Sequence, residues 1–284
     1  MTVELVRTPA EMRARSDLWR AAGKRIAFVP TMGYLHDGHV SLLDEGRRLG
    51  DVLALSIFVN PTQFGPKEDL SRYPRDLDGD LAKALRAGVD VAYLPDAQAM
   101  YPAGYQTYVE VEELQKGLCG GSRPGHFRGV ATVVLKLFHA VQPHVALFGR
   151  KDYQQLQVLT RMARDLDLGV EVVGMPIVRE GDGLAMSSRN AYLSPDERLR
   201  ALAISRALLA AREAFEHGER DAARLVDCAR ATLHLTPGVR LDYLELRDAE
   251  SLALLDGRVS RAAVMAVAAF VGTTRLIDNQ LFAP

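Results

Sequence analysis

Strand-like and helix-like runs alternate through the first two thirds of this 284-residue chain, and that order restricts the fold more than any other feature. Short apolar runs occupy residues 26–29, 89–94, 145–148 and 170–173. The run at 52–59 is apolar almost throughout, which is typical of a strand buried on both faces. Strands that are joined through helices become parallel, with helices on both faces of the sheet. The sequence therefore predicts an α/β fold with a Rossmann-like, doubly wound parallel sheet.

Helical character separates these runs and marks their limits. Thr8-Pro9-Ala10-Glu11 has the spacing of a capping box with proline at the first helical position. Helices are predicted at 40–49, 77–87 and 154–166, and a helix that is apolar all round, hence buried, at 130–141.

The pattern changes near Met175-Pro176, so we predict one domain at 1–175 and a smaller one at 176–284. Ser194-Pro195-Asp196-Glu197 is a second capping box, which opens a long helix to about residue 215. A helix at 221–233 and strands at 241–246, 264–271 and 275–277 follow, the last two around Gly272-Thr273-Thr274. Helices followed by clustered strands predict a small α+β domain with a hairpin.

Composition excludes several classes of function. A net charge of −1 does not indicate the excess of basic residues that is typical of proteins that bind nucleic acid or a membrane surface. Cys119 and Cys228 lie far apart, which disfavours a disulfide framework or a zinc site and fits a reducing compartment. The N-terminal segment lacks the apolar core of a signal peptide, and no apolar run is long enough to span a bilayer. We expect a cytoplasmic protein.

The turn from Pro30 to His39 carries the strongest chemical signal. His36 and His39 lie between a predicted strand and a predicted helix, and a helix start offers N–H groups and a positive dipole end to phosphate. The alternatives to phosphate binding are that the two histidines form a helix cap without a functional role, or that they are part of a metal site. The spacing differs from the HExxH pattern and no Cys or acidic partner stands at ligand spacing, so no metal site is predicted.

Further candidates follow the other strands. Asn60 and Gln63 lie beyond the strand at 52–59, at the sheet edge where parallel sheets bind ligands, although ordinary turn chemistry also explains Asn60. The segment from Gly117 to Gly129 contains five glycines, two arginines and a histidine. This composition is typical of a loop that is shaped around a ligand, and also of a flexible surface loop. Val130, Val133 and Val134 share one helix face, which is core or one wall of a pocket for a small branched substrate.

Two later segments could bind an anion. Lys151 and Gln155 follow the strand at 145–148, where the lysine reaches a phosphate or is simply solvated. The glycine-containing segment 178–190 ends in Ser187-Ser188-Arg189, whose hydroxyls, N–H groups and guanidinium suit an anion cradle. We expect this flexible segment of the second domain to close over a cleft between the domains.

A His-x-Gly-His turn after the first sheet strand, with a distant basic loop, is the layout of the HxGH nucleotidyltransferase superfamily, and Walker and GxGxxG motifs are absent from the sequence. The chain resembles the pantothenate synthetase (pantoate–β-alanine ligase) family. The similarity runs from residue 30 to residue 279, and its one departure is His144, where an aspartate is more usual. Its segments are PTMGYLHDGH, SIFVNPTQF, YPRDLDGD, RPGHFRGVATVV, FGRKDYQQL, VREGDGLAMSSRNAYLS, LDYLELRD and TRLIDN.

The resemblance implies ATP-dependent ligation of (R)-pantoate with β-alanine, through a pantoyl adenylate, to give pantothenate, AMP and diphosphate. It implies that Mg²⁺ is carried on the ATP phosphates and that the protein is a homodimer. The implied catalytic residues are His36, His39, Lys151, Ser187, Ser188 and Arg189.

The resemblance also implies the binding residues. Gln63 would bind pantoate and β-alanine, Gln155 would bind pantoate, and Val133 and Val134 would face its gem-dimethyl group. The implied ATP site comprises Met32, Gly33, Tyr34, Leu35, His36, Asp37, Gly38, His39, Gly149, Arg150, Lys151, Asp152, Val178, Met186, Ser187, Ser188 and Arg189.

Two alternatives stay open at this point. Another HxGH-type adenylyl- or cytidylyltransferase would leave the nucleotide on its product, and a non-catalytic nucleotide-binding protein would bind ATP without turnover. A tRNA synthetase is disfavoured by the near-zero net charge and by the lack of room for an anticodon-binding domain.

Overall fold

The computed structural model describes residues 2–66 and 68–283, in two compact units. The first unit runs to Gln115 and also includes Arg123–Arg150 and Gln155–Pro176. The second comprises Lys116–Ser122, Lys151–Gln154 and the chain from Ile177 onward.

A six-stranded parallel sheet forms the centre of the first unit, in the order β1-β4-β3-β2-β5-β6. The strands are β1 (Glu4–Val6), β2 (Ile26–Thr31), β3 (Val52–Ile57), β4 (Val91–Tyr93), β5 (Val145–Gly149) and β6 (Glu171–Met175). The predicted doubly wound α/β fold is confirmed. The sequence order reverses between β2 and β5, so this pair marks the switch point where ligands bind in sheets of this kind.

Helices cover both faces of this sheet. Its helices are α1 (Pro9–Ala21), α2 (Asp37–Leu49), α3 (Leu77–Arg86), α4 (Ala97–Met100), α6 (His126–Val141) and α7 (Tyr153–Asp165). On one face, Leu43 of α2 packs in a cluster with Val29 of β2. On the other, Phe28 of β2 packs edge-on against Phe138 of α6, with ring centroids 6.4 Å apart. Because adjacent strand residues point to opposite faces, α2 and α6 lie on opposite sides of the sheet.

The second unit contains α5 (Leu118–Ser122), α8 (Pro195–Glu216) and α9 (Ala222–His234) beside an antiparallel sheet. Its strands are β7 (Val239–Asp248), β8 (Ala263–Val271) and β9 (Thr274–Phe282). Ile204 and Leu208 of α8 pack in one core with Leu225 of α9 and Met265 of β8. The predicted α+β character is confirmed.

Both predicted capping boxes are present. Glu11 N–H donates to Thr8 Oγ1 at 3.2 Å, and Thr8 N–H donates to the Glu11 carboxylate at 3.1 Å. The same reciprocal pair joins Ser194 and Glu197 at 3.3 and 2.9 Å. Among the described residues, no helix is long and apolar enough to cross a membrane.

Several predicted boundaries were wrong. β3 ends at Ile57 rather than at residue 59, before the turn at Asn60-Pro61. The glycine-rich segment 117–129 is not one loop, because α5 forms at Leu118–Ser122 and α6 begins at His126 instead of residue 130. β9 extends to Phe282, well past the predicted residue 277, because it pairs with β8 along its whole length.

Candidate active site

His36 and His39 lie at the start of α2, after the turn that follows β2. His36 is the N-cap residue, and His39 lies three residues further on. The ring centroids are 4.0 Å apart, with the planes inclined by 32°. His39 Nδ1 accepts the backbone N–H of His36 at 3.3 Å, so neutral His39 carries its proton on Nε2. His39 therefore presents a hydrogen-bond donor beside the positive end of the α2 dipole.

The turn that precedes the histidines has an unusual backbone. Gly33 and Tyr34 both have left-handed conformations, with φ of 84° and 52°. A Cβ atom on Gly33 would lie 2.9 Å from Ile57 Cγ2, so glycine is required both for its conformation and for space. Thr31 Oγ1 accepts the Gly33 N–H at 3.2 Å and secures the start of the turn.

Asp80 of α3 holds the middle of this turn. Its two carboxylate oxygens accept the N–H groups of Tyr34 at 2.8 Å and of Leu35 at 2.6 Å. The residue is 1% exposed. Burial raises the pKa of Asp80 above its ordinary value, against the opposing effect of the two N–H donors. Sequence reasoning did not single out Asp80, although it lies in the YPRDLDGD segment.

Gln63 lies beyond the carboxyl end of β3, in a short 3-10 helix at Pro61–Gln63. It is 9% exposed, and its Nε2 lies 3.3 Å from Met32 Sδ in the turn after β2. The structure thus brings together two predicted site residues that are 31 positions apart in the chain. Asn60 Nδ2 donates to Gln63 Oε1 at 3.1 Å.

β5 ends beside β2 at the switch point, which places Gly149 and Arg150 at the sheet edge that also carries the histidine turn. Gln155 is half-buried on α7. Val133 and Val134 of α6 are each 5% exposed, as residues of the protein core are.

The remaining predicted residues belong to the second unit. The Lys151 ammonium lies 3.5 Å from Asp152 Oδ2, and its backbone oxygen accepts Asn279 Nδ2–H at 2.9 Å. Val178 and Met186 meet through a backbone hydrogen bond of 3.0 Å. Ser187 caps a 3-10 helix at Ser188–Tyr192, and its Oγ accepts the Arg189 N–H at 3.3 Å.

The segment that we expected to be flexible is a short hairpin. Arg179 and Ala185 form an antiparallel bridge. Arg179 also forms two hydrogen bonds to Asp278, at 2.7 and 3.1 Å. Burial raises the pKa of Asp278, and the Arg179 guanidinium opposes that rise. An ion pair with a buried partner thus anchors the hairpin that leads to Ser187.

No group of three or more His, Cys, Asp or Glu side chains in the described part of the chain is arranged to hold a metal ion.

Comparison with known proteins decides the family. The model of the family described as pantoate-beta-alanine ligase matches residues 4–281. The chain belongs to the pantoate–β-alanine ligase family. Its resemblance to these enzymes is thereby confirmed, and the chain is a ligase.

Relatives named pantothenate synthetase match over nearly the whole chain. The pantothenate synthetase of Geobacter sulfurreducens is 56% identical over 277 residues, which cover 98% of both chains. That of Anaeromyxobacter dehalogenans is 60% identical over 285 residues, again with 98% of both covered.

Two solved structures are similar to this chain. The pantothenate synthetase of Thermus thermophilus gives a TM-score of 0.93 at 48% identity, with 99% of this chain and 100% of that chain covered. The pantoate-beta-alanine ligase of Francisella tularensis, complexed with beta-gamma ATP and beta-alanine, gives 0.80 at 30% identity, with 99% and 98% covered.

Proposed function

We propose that this enzyme joins (R)-pantoate to β-alanine with cleavage of ATP to AMP and diphosphate, by way of a pantoyl adenylate. The observation that carries the proposal is the pair His36 and His39 on the first turn of α2, beside the β2–β5 switch point, in a member of this ligase family. Fixed donors at a helix start suit a reaction in which negative charge grows on phosphate oxygens.

The reaction has two steps. A pantoate carboxylate oxygen attacks the α-phosphorus of ATP in line, and the bond to diphosphate breaks. The β-alanine amine then attacks the acyl carbon, loses a proton, and AMP leaves. ATP brings Mg²⁺ on its phosphates, where phosphate oxygens and water are its preferred ligands.

The proposed roles divide the predicted residues into two sets. In the first, His36 and His39 hydrogen-bond the phosphates, while Gln63 and Gln155 hold pantoate against Val133 and Val134. In the second, Lys151 and the segment Ser187-Ser188-Arg189 neutralise phosphate charge. Cationic and N–H donors stabilise the transition state most where that charge develops.

We further propose that the enzyme is a cytoplasmic homodimer, as the family resemblance implies. Light scattering on the purified protein tests the dimer, because a monomer at micromolar concentration would contradict it.

Exchange of labelled diphosphate into ATP tests the first step. We expect exchange that requires pantoate and proceeds without β-alanine, and AMP release that requires both substrates. His39→Ala should reduce the exchange by about 10²–10⁴-fold, because it removes a donor to the reacting phosphates. His139→Ala changes an exposed histidine on α6 and is the matched control. Wild-type exchange in His39→Ala would remove His39 from the mechanism, and a stable nucleotidyl product without AMP would refute the ligase reaction.

A further inference from the structure

The segment Arg123-Pro124-Gly125-His126, which the proposed reaction leaves without a role, contacts the backbone of Gln63. His126 Nδ1 lies 2.8 Å from the Gln63 carbonyl oxygen, and Arg123 Nη2 lies 3.2 Å from the same oxygen. Arg123 is itself fixed by two hydrogen bonds of 2.6 Å to the Glu68 carboxylate. Gln63 is therefore held from outside its own short helix.

The tautomer of His126 follows from its neighbours. A carbonyl oxygen only accepts, so Nδ1 must carry the proton that is donated to Gln63. Arg123 Nη1 lies 3.0 Å from His126 Nε2, and a guanidinium only donates, so Nε2 must accept. Both contacts are satisfied together by neutral His126 with its proton on Nδ1.

Gly129 allows this close approach. A Cβ atom at this position would lie 2.5 Å from the Thr62 oxygen and 2.8 Å from Gln63 Cα. Helix α6 therefore packs directly against the backbone that carries Gln63. Glycine weakens a helix interior by about 1 kcal/mol relative to alanine, and here that cost accompanies a contact which no larger residue permits.

The orientation of the Asn60 amide is fixed by a backbone oxygen. Asn60 is 1% exposed, and one atom of its amide lies 3.2 Å from the Gly129 carbonyl oxygen. Since that oxygen only accepts, the atom must be the amide nitrogen. On the other side, Asn60 Oδ1 accepts from Tyr101 Oη at 2.8 Å and from Thr62 Oγ1 at 3.0 Å.

Asn60 in turn fixes the amide of Gln63. The Asn60 nitrogen faces Gln63 at 3.1 Å, so the Gln63 atom that meets it must be Oε1. The Gln63 Nε2 donor is then directed away from Asn60, toward Met32 Sδ at 3.3 Å. A thioether is a weak acceptor, so an oxygen of a ligand replaces it at little cost.

We propose that Asn60 and His126 are positioning residues, which hold Gln63 so that its amide N–H group, and not its oxygen, meets pantoate. The inference rests on the proposed function, in which Gln63 binds pantoate. It adds a direction to that contact, since Gln63 donates and a carboxylate or hydroxyl oxygen of pantoate accepts. Hydrogen bonds to an ionised acceptor are stronger than neutral ones, so this direction favours the anionic substrate.

Asn60→Asp tests the proposal by removing the donor that faces Gln63 Oε1. With a carboxylate in its place, the Gln63 amide turns over, and its oxygen faces pantoate. We expect kcat/KM for pantoate to fall about 10–100-fold, the range for a lost hydrogen bond to a charged group, while KM for ATP stays within about threefold.

A double-mutant cycle separates positioning from a direct or a merely structural effect. If Asn60 acts through Gln63, Asn60→Asp should change kcat/KM for pantoate by no more than about threefold in the Gln63→Ala background. An equal loss in both backgrounds overturns the proposal, and so does an unchanged kcat/KM for pantoate in the single variant Asn60→Asp.

A pair of His126 variants gives independent evidence, even where Asn60→Asp folds poorly. The amide nitrogen of His126→Asn occupies the place of Nδ1 and keeps the bond to the Gln63 oxygen, whereas that of His126→Gln occupies the place of Nε2. We expect His126→Asn to keep kcat/KM for pantoate within about threefold of wild type and His126→Gln to lose about tenfold or more, at similar melting temperatures. Equal values for the two variants contradict the role of His126.

Failure of the proposed function would look different. If Gln63→Ala leaves kcat/KM for pantoate unchanged, Gln63 does not bind pantoate, whatever positions it. If wild-type enzyme releases no AMP with pantoate and β-alanine, the ligase reaction itself is wrong.

Discussion

Asp80 provides a quantitative test of how the histidine turn is held, because one buried carboxylate binds two of its backbone N–H groups. Asp80→Asn keeps the shape of the side chain but replaces one accepting oxygen with a donating NH₂ group. One N–H group, from Tyr34 or Leu35, then loses its acceptor and faces another donor.

The expected loss of stability in Asp80→Asn follows from the burial of these groups. A buried donor that loses its partner costs about 1–3 kcal/mol, and the remaining bond changes from charge-assisted to neutral. The amide is easier to bury than the charge, which offsets part of the loss. We expect the free energy of unfolding to fall by about 1–3 kcal/mol, which corresponds to about 2–4 °C in melting temperature per kcal/mol.

Catalysis should be more sensitive than stability. The turn leads directly into His36 and His39, and a displacement of about 1 Å in a catalytic group costs about 10²-fold in rate. We therefore expect Asp80→Asn to slow pantoate-dependent ATP–diphosphate exchange by about 10–100-fold, with KM for ATP and for pantoate within about threefold.

Asp78→Asn is the matched control, since it removes the same charge from an exposed position in the first turn of the same helix. It should leave both the exchange rate and the melting temperature near wild type. Wild-type exchange in Asp80→Asn, or an equal loss in Asp78→Asn, would refute the role of Asp80 in holding the turn.

Two ion pairs, Arg123–Glu68 and Arg179–Asp278, give further predictions. Burial raises the pKa of Glu68, but hydrogen bonds and charge interactions, those with Arg123 foremost, together outweigh burial and hold that pKa below the ordinary 4.5. The contribution of this ion pair to stability is thus complete above pH 4.5 and is lost as the pH falls through the lowered pKa. The difference in urea unfolding free energy between wild type and Glu68→Gln should therefore shrink in acid. A difference that stays constant with pH would argue against this role of the pair. Arg179→Met should lower the free energy of unfolding by about 3–5 kcal/mol, because it leaves the Asp278 carboxylate buried without its cation. Adding Asp278→Asn should restore part of that loss in thermal denaturation, and no recovery would show that the pair is not the cause.

The sequence predicted the fold well because its signals are local. The apolar run that predicts β3 and the capping boxes that predict the starts of α1 and α8 are each formed by residues close together in the chain. The structure contains the strand and both capping boxes. Gln63 was also predicted as a site residue by a local rule, since it follows a buried strand at the binding edge of a parallel sheet.

Long-range contacts explain what the sequence did not predict. Asp80 and Leu35 lie 45 positions apart, and His126 and Gln63 lie 63 apart, so only the folded sheet brings each pair together. The start of α6 was missed for a related reason. Gly125 precedes it in a left-handed conformation and Gly129 lies inside it, and both glycines favour a loop when the sequence is considered alone.

Three departures from local preference lie at the candidate site. Tyr34 has a left-handed backbone, which costs a non-glycine residue about 1–3 kcal/mol. Asp80 buries a carboxylate, and Gly129 weakens the helix that contains it. Tyr34 and Asp80 shape the turn before His36, whereas Gly129 admits the backbone that carries Gln63. Each of these three costs accompanies a contact that shapes a group of proposed ligands, which supports the proposal that the turn and Gln63 are functional.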